Sequence, residues 1–336
     1  MKTVSVALAT YNGERFLAEQ LRSLAAQTVL PDELVVHDDG STDATLEIVA
    51  DFARASPFPV RVESDAQRRG SSDAFFMAAL ACDGDLVALC DQDDVFLPEK
   101  LERCRSALDR SGVLAVIHSS RVVDEWLRPT GELFPHVRRT QIAPALSSDP
   151  WLAVRGMSMV VDARVVRLAA AEARPPSHYL EGATMHHDEW LYVLASSLGA
   201  VAFLAEPLAL YRQHGSNLTR IPKRLSVVRD FATTGWSYYG RRRDQARALE
   251  RILRESRTRS AGDEWEGGAQ RAALAFGLLA DRLERRLSVY EPGVGFVVRA
   301  RRLLQLARRG DYARGAGFGA GALARDALMI ALGRTG

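Results

Sequence analysis

Short apolar runs recur through the first ninety residues, each separated from the next by a stretch with helical periodicity. The runs are Val4–Ala9, Leu34-Val35-Val36, Val60-Arg61-Val62 and Leu86–Cys90. Between them, Gly13–Ala26 sets Phe16, Leu17, Leu21 and Leu24 on one side, and a stretch opened by Ser41 or Thr42 sets Leu46, Ile48, Val49 and Phe52. Asp73–Cys82 supplies a third helical stretch. Strands joined by helical crossovers imply a parallel sheet covered on both faces, so the fold class is α/β. In such a sheet ligands collect at the carboxyl ends of the strands. Three polar clusters fall at those ends: Thr10-Tyr11-Asn12, Asp38-Asp39-Gly40 and Asp91-Gln92-Asp93-Asp94.

The alternation fades near residue 220, and the charge changes there too. Residues 1–219 carry 20 Lys+Arg against 30 Asp+Glu; residues 220–336 carry 24 against 12, giving the net +2 of the 336-residue chain. Arg241-Arg242-Arg243, Arg251, Arg254, Arg257 and Arg259 stud a helical pattern, Gly262–Gly268 reads as an acidic break, and Ala269–Leu287 and Val297–Arg309 read as further helices. The organisation expected is an α/β domain over 1–219 followed by a basic helical C-terminal region over 220–336. A chain 26% charged and 47% hydrophobic is neither disordered nor fibrous. No apolar stretch reaches the roughly 18 residues of a membrane span, and the N-terminal run is too short for a signal-peptide core. Cys82, Cys90 and Cys104 are odd in number and lack zinc-ligand spacing. These features lead to the expectation of a cytoplasmic protein.

The carboxylate clusters carry the chemistry. Asp91, Asp93 and Asp94 follow a buried strand and precede Pro98, a residue suited to a helix start. Carboxylates at a strand end offer hard oxygen ligands to Mg2+ or Mn2+, ions that leave positions open for phosphate. The same acids suit a helix N-terminus. Three aspartates in four residues favour the cation, because their mutual repulsion is costly without one. Asp38-Asp39-Gly40-Ser41-Thr42-Asp43 fits a turn with Ser41 or Thr42 as helix cap, or an Asp39 carboxylate that accepts from a nucleobase N–H. The phosphatase-type Asp-x-Asp-Gly motif of haloacid dehalogenase-like enzymes needs a nucleophilic Asp where this chain has His37.

Taken together, Val4–Asn12, Gln20-Leu21-Arg22-Ser23-Leu24, Gln27-Thr28, Asp38–Asp43 and Leu89–Asp94 resemble family 2 glycosyltransferases of the GT-A fold. His187-Asp188-Glu189-Trp190, Glu206-Pro207-Leu208 and Tyr211–Asn217 look like the rhamnosyltransferase-type members. The resemblance spans roughly residues 3–218. It implies a Rossmann-like, mostly parallel sheet flanked by helices, with nucleotide-sugar and acceptor halves, ahead of the helical appendage.

It also implies roles. Thr10, Tyr11 and Asn12 line the nucleotide pocket, Asp39 contacts the base, Asp91 lies near the ribose with Gln92 beside it, and Asp93 binds the divalent metal, Mn2+ or Mg2+. Gly156 matches a glycine loop beside donor sugar and acceptor, Asp188 the catalytic base, and His214 a histidine that approaches the metal or diphosphate. In Gln67-Arg68-Arg69-Gly70 the chain lacks an asparagine common in the family; Arg69 and Gly70 stand as donor contacts, with Arg69 either pairing with the diphosphate or lying on a surface turn. His186-His187 is either a second metal site or a helix-start pair; His118, His136 and His178 have no partners in sequence.

The function implied is an inverting, metal-dependent glycosyltransferase. It would move a sugar, with L-rhamnose from dTDP-rhamnose suggested by the His187–Asn217 region, onto a glycan or lipid-linked glycan in cell-surface polysaccharide biosynthesis. A metal offsets the charge of the departing diphosphate, and a carboxylate behind the acceptor hydroxyl takes its proton. A sugar nucleotidyltransferase is the alternative, but it needs a Gly-rich, basic phosphate loop that Ala9–Gly13 does not offer. A non-catalytic nucleotide-sugar-binding subunit would not need Asp188. The basic helix Val297–Arg309 either lies on an anionic membrane at its cytoplasmic face or packs on the α/β domain. The tail has no nucleic-acid-binding signature. Gly315–Gly321 follows no strand and is no dinucleotide fingerprint.

Overall fold

The computed structural model describes residues 1–65, 68–179, 181–217, 235–255, 263–291, 293–312 and 320–331. Gln67, Arg257, Arg259 and most of the Gly315–Gly321 stretch lie outside the described residues. The chain forms two compact units: Met1–Ala145, Ala153–Ala171 and His186–Arg220 make the first; Leu146–Leu152, Glu172–Met185 and Ile221–Gly336 make the second.

The first unit begins with the expected alternation: β1 (Val4–Thr10), α1 (Leu17–Ala25), β2 (Glu33–Asp38), α2 (Thr45–Ala55), β3 (Val60–Ser64), α3 (Ser71–Leu80) and β4 (Leu86–Asp91). β1 and β2 are buried along their whole length, as strands of a sheet covered on both faces must be. α1 buries Leu17, Leu21 and Leu24 on one stripe. β5 (Val95–Phe96), α4 (Lys100–Leu108), β6 (Val113–Val123), β7 (Pro129–Leu133) and β8 (Gln141–Ala143) follow. The unit closes with a 3-10 turn (Gly156–Ser158), β9 (Met159–Asp162), α5 (Ala163–Ala171), α6 (His187–Leu198) and β10 (Ala200–Arg212).

The strand order is β3-β2-β1-β4-β9-β6-β10-β5, with β7 on β6 and β8 on β10. β3, β2, β1 and β4 are mutually parallel, and β6 pairs parallel with β10. β9 runs antiparallel between β4 and β6, so β6 points the same way as β1. The strands that the sequence pattern read as parallel are parallel, and the reversal enters with β9, which makes the whole sheet mixed. The reversal has a consequence for position: the turn that opens β9 arrives at the carboxyl end of β4, beside Asp91. The antiparallel pairing of β10 with β5, Ala209 opposite Phe96, likewise delivers the residues after β10 to the loop holding Asp93.

The second unit contains α7 (Gly235–Glu255), α8 (Asp263–Leu287), α9 (Phe296–Arg308) and α10 (Ala320–Ala331). α7 and α8 pack antiparallel: Arg243 pairs with Glu284, Arg247 with Asp281, and Glu250 lies over Gly277. Residues 263–268 belong to α8 and do not interrupt it, because buried Trp265, Ala269, Ala272 and Ala273 follow helical spacing and carry the helix through Gly267 and Gly268. Asp326, fully buried, accepts from Arg286, Tyr290 and Tyr312, tying α8 to α10. The Trp151 indole donates to Gln245, whose amide donates to the Pro176 carbonyl, so segments 146–152 and 172–185 are held on α7.

Candidate active site

Three strand ends of the first unit, at Thr10, Asp38 and Asp91, lie on one edge of adjacent parallel strands. Asp38 is buried and fastens two loops: its carboxylate accepts from the Thr10 hydroxyl at 2.7 Å and from the Ser41 N–H and hydroxyl. Ser41 Oγ in turn accepts from Asn12 N–H at 2.9 Å. The Asn12 side-chain oxygen accepts from Thr42 N–H, and its backbone sits at φ +45°. Ser41 is thus occupied elsewhere, and the helix start is held by Asp43, which accepts from Thr45 N–H at 3.0 Å. That corrects the expectation of a Ser41 or Thr42 cap.

Asp39 anchors the loop before α3. Its two oxygens accept from Arg69 N–H at 2.6 Å and Gly70 N–H at 2.9 Å, and Gly70 takes φ +96°, a region open to glycine. The Arg69 guanidinium pairs with Asp65 on the same loop, whereas the Arg68 guanidinium stacks 4.0 Å from the Tyr11 ring. Gln92 forms a reciprocal pair with the Tyr11 backbone, accepting from its N–H at 2.9 Å and donating to its carbonyl at 3.0 Å. This amide fills the space over Gly13, where a Cβ would lie 2.3 Å from Gln92 Oε1.

The carboxylates gather beyond. Asp91 Oδ2 accepts from Met157 N–H at 3.2 Å, and a Cβ on Gly156 would sit 3.6 Å from that oxygen and 3.1 Å from His187 Nε2. Burial, then the charges of Asp93 and Asp188, push the Asp91 carboxyl up to about 7. Asp94 is raised well above the usual range, first by burial and then by Asp93 and Asp91, and its Oδ2 has no partner among the described residues. Lys100 is fully buried beneath them; its ammonium donates to the Met157 carbonyl at 2.6 Å, and burial lowers it to about 8.

His214 Nε2 meets Asp93 Oδ2 at 2.8 Å, while its Nδ1 accepts from Ser216 N–H at 3.2 Å. A backbone N–H only donates, so Nδ1 carries the lone pair and the proton sits on Nε2, donated to Asp93. Asn217 Nδ2 also donates to Asp93 Oδ2, leaving Oδ1 with no hydrogen bond among the described residues. Arg212, buried against Phe16, organises this corner: its N–H donates to Asp94, Nε to the Asp93 carbonyl, Nη1 to the Glu125 carbonyl and Nη2 to Glu19.

Asp188 and Glu189 open α6 at the same edge. Asp188 is buried and accepts Glu189 N–H at 2.8 Å. Burial, then Asp188, raise Glu189 to about 7. His187 stacks on Phe75 of α3 and His186 Nδ1 lies 3.3 Å from Ser72 Oγ. His118 is buried and lowered to about 3 by that burial.

Asp91, Asp93, Asp188, Gly156 and His214 therefore share one end of the sheet, with Thr10, Tyr11, Asp39 and Gly70 at the neighbouring strand ends. Asn12 and Gln92 spend their amides on loop backbone, and Arg69 on Asp65. Sequence reasoning counted Asp94 in the carboxylate cluster without giving it a role of its own, and it missed Lys100, Arg212, Glu189 and Arg68. Among the described residues no three His, Cys, Asp or Glu side chains are placed to hold a metal ion. The three cysteines are free and buried.

A Rossmann-like sheet with carboxylates at the ends of its central strands defines a GT-A transferase fold. The structure of S. aureus TarS residues 1–349 in complex with UDP-GlcNAc matches it with a TM-score of 0.53 over 93% of each chain, at 18% identity. Residues 5–160 match the model of glycosyl transferase family 2, and that part of the chain is a family 2 glycosyltransferase domain. An uncharacterised glycosyltransferase of Nostoc sp. is 33% identical over 121 residues, 36% of this chain and 37% of the relative. The dTDP-rhamnosyl transferase RfbG of Shigella flexneri is 30% identical over 106 residues, 30% of this chain and 36% of the relative. The chain thus spans little over a third of the length of these two curated relatives.

Proposed function

We propose that the chain transfers a sugar from a nucleoside-diphosphate sugar to a hydroxyl of a glycan or lipid-linked glycan, with inversion at the anomeric carbon. The observation that carries this reading is the gathering of Asp188, on the first turn of α6, with Asp91 at the end of β4, the Gly156 turn lying against Asp91 and against His187, the neighbour of Asp188. In this reading the nucleotide lies along the Thr10–Asn12 and Asp39–Gly70 loops, and Asp91 sits near the ribose. Asp188 takes the proton of the acceptor hydroxyl as its oxygen bonds to the anomeric carbon. The bond from that carbon to the diphosphate breaks on the opposite side, and the nucleoside diphosphate leaves. A positioned general base of this kind contributes about 10²–10⁴-fold.

Asp93 and His214 are the residues that would hold a divalent Mn2+ or Mg2+. Asp93 keeps an oxygen with no hydrogen bond among the described residues, and a carboxylate with one imidazole suits an ion that takes the rest of its shell from phosphate and water. Such an ion, when bound, offsets charge on the departing diphosphate. The His214 imidazole must then present a lone pair at Nε2 where it now donates.

The RfbG relative and the His187–Asn217 residues support dTDP-rhamnose as donor, and the family resemblance suggests a cell-surface polysaccharide as product. The exposed apolar and arginine residues of α9 support contact with the cytoplasmic face of an anionic membrane. Asp188→Asn tests the core of the reading: transfer is expected to collapse while calorimetry shows donor affinity unchanged, and full transfer activity would sink it. A thermal-shift panel of UDP-, GDP- and dTDP-sugars with and without Mn2+ identifies the donor, because a ligand bound by the native state alone raises Tm.

A further inference from the structure

The turn between β6 and β7 holds out an aromatic side chain that the proposed chemistry does not use. Trp151, Trp190 and Trp265 are buried, whereas Trp126 is 65% exposed. Exposing a large apolar ring to water is unfavourable, so the backbone around it must be held. Asp124 does so: its Oδ1 accepts N–H bonds from Trp126 at 3.0 Å and Arg128 at 2.8 Å, and its own N–H donates to the Arg128 carbonyl. Leu127 sits at φ +63°, a left-handed conformation that a branched side chain adopts only under constraint. The Arg128 guanidinium lies 5.6 Å from the Trp126 ring.

This turn belongs to the site's edge. β6 runs parallel to β1, so its carboxyl end, Val123, reaches the same edge as Thr10 and Asp91. The Glu125 carbonyl accepts from Arg212 Nη1 at 2.8 Å, and the same guanidinium holds the Asp93 carbonyl at 2.7 Å. The Glu125 carboxylate pairs with Arg15. Trp126 therefore stands one residue from an atom that shares Arg212 with Asp93. In the sheet β6 lies three strands from β1, roughly 14 Å at the usual spacing. The turn thus follows a strand four positions from β2, whose end carries Asp39.

We propose that Trp126 is the platform on which a pyranose ring of the acceptor stacks. A pyranose presents a patch of C–H groups bordered by hydroxyls. The indole face matches the first, and the Arg128 N–H groups beside it match the second. The inference rests on the reading that this site transfers a sugar, and it names the saccharide character of the acceptor and the residue that selects it.

The test uses the full chain, 15N-labelled, with UDP, GDP or dTDP added first. Methyl α- and β-pyranosides of glucose, galactose, mannose, rhamnose and N-acetylglucosamine follow. The indole resonance missing from Trp126→Ala identifies Trp126. At least one glycoside is expected to move that resonance saturably, with roughly tenfold or greater loss of affinity in Trp126→Ala, recovery in Trp126→Tyr and unchanged nucleotide affinity. Nucleotide binding with the Trp126 indole unmoved by every glycoside overturns this inference and leaves the proposed function standing. No response to any nucleotide or sugar nucleotide overturns both.

Discussion

Glu189, next to the proposed base, keeps its Oε2 buried without a hydrogen-bond partner among the described residues. Burial, followed by the Asp188 charge, raises it from 4.5 to about 7. A carboxyl that titrates higher in the folded state binds more protons folded than unfolded between those two values. Its contribution to stability is therefore full below about 4.5, falls as pH rises through 7 and stays lost above. Glu189→Gln removes the penalty, so its Tm should exceed wild type at pH 8, by the equivalent of up to about 3 kcal/mol, and match it near pH 4. The same Tm difference at both pH values would contradict this account. Glu189 also shows what a sequence hides at this scale. Asp39, Asp91 and Asp93 were legible because each sits just past an apolar run, where a parallel sheet collects its ligands. Glu189, Lys100 and Trp126 were not, since each draws its character from burial or from partners far along the chain, as Lys100 does from Met157.

Elements were legible where periodicity specified them and obscure where pairing did. The strand–helix alternation from Val4 to Asp91 is written in local apolar spacing. The antiparallel insertion of β9, which brings the Gly156 turn to Asp91, is a choice of neighbour that local spacing does not encode. The corner after β10 is another such choice. There Arg212 connects β10, the Asp93–Asp94 loop, the Glu125 turn and α1 through one side chain. Arg212→Met takes the guanidinium off the Phe16 ring and strips the donors from two carbonyls and Glu19. Its N–H bond to Asp94 remains, being backbone. The expected cost is about 3 kcal/mol, because buried acceptors lose their partners, with faster amide exchange over 213–217. Arg54→Met, which removes an exposed pair with Asp51, is the control and should change stability by less than about 1 kcal/mol. Equal losses in the two variants would show that Arg212 is not the joint of this corner.

At the scale of the whole chain, the excess of 12 basic charges beyond residue 219 needs a place to act. Arg243, Arg247, Arg285, Arg286 and Arg302 pair with carboxylates of the second unit, which leaves the excess itself unmatched. α9 is different. It buries Arg299, Leu303 and Leu306 and exposes Phe296, Val297, Val298 and Leu304. Arg301 and Arg308 on the same helix and Arg309 just after it are exposed and have no carboxylate partner among the described residues. No described helix is long and apolar enough to cross a membrane. Apolar side chains interleaved with unpaired arginines instead suit a helix lying at the interface of an anionic bilayer. Each such arginine adds about 1 kcal/mol near the surface, so Arg301→Gln, Arg308→Gln and Arg309→Gln together should weaken binding about 100-fold. The full chain is expected to float with phosphatidylglycerol vesicles at low salt, less at high salt, and not with neutral ones. Replacing Phe296, Val297 and Leu304 by Ser should abolish flotation even at low salt, since charge alone leaves no apolar face to insert. Unchanged thermal shifts with donor in both sets of variants would show that the fold is intact. Equal flotation of wild type and both variant sets would place the basic surplus elsewhere and leave α9 without this role.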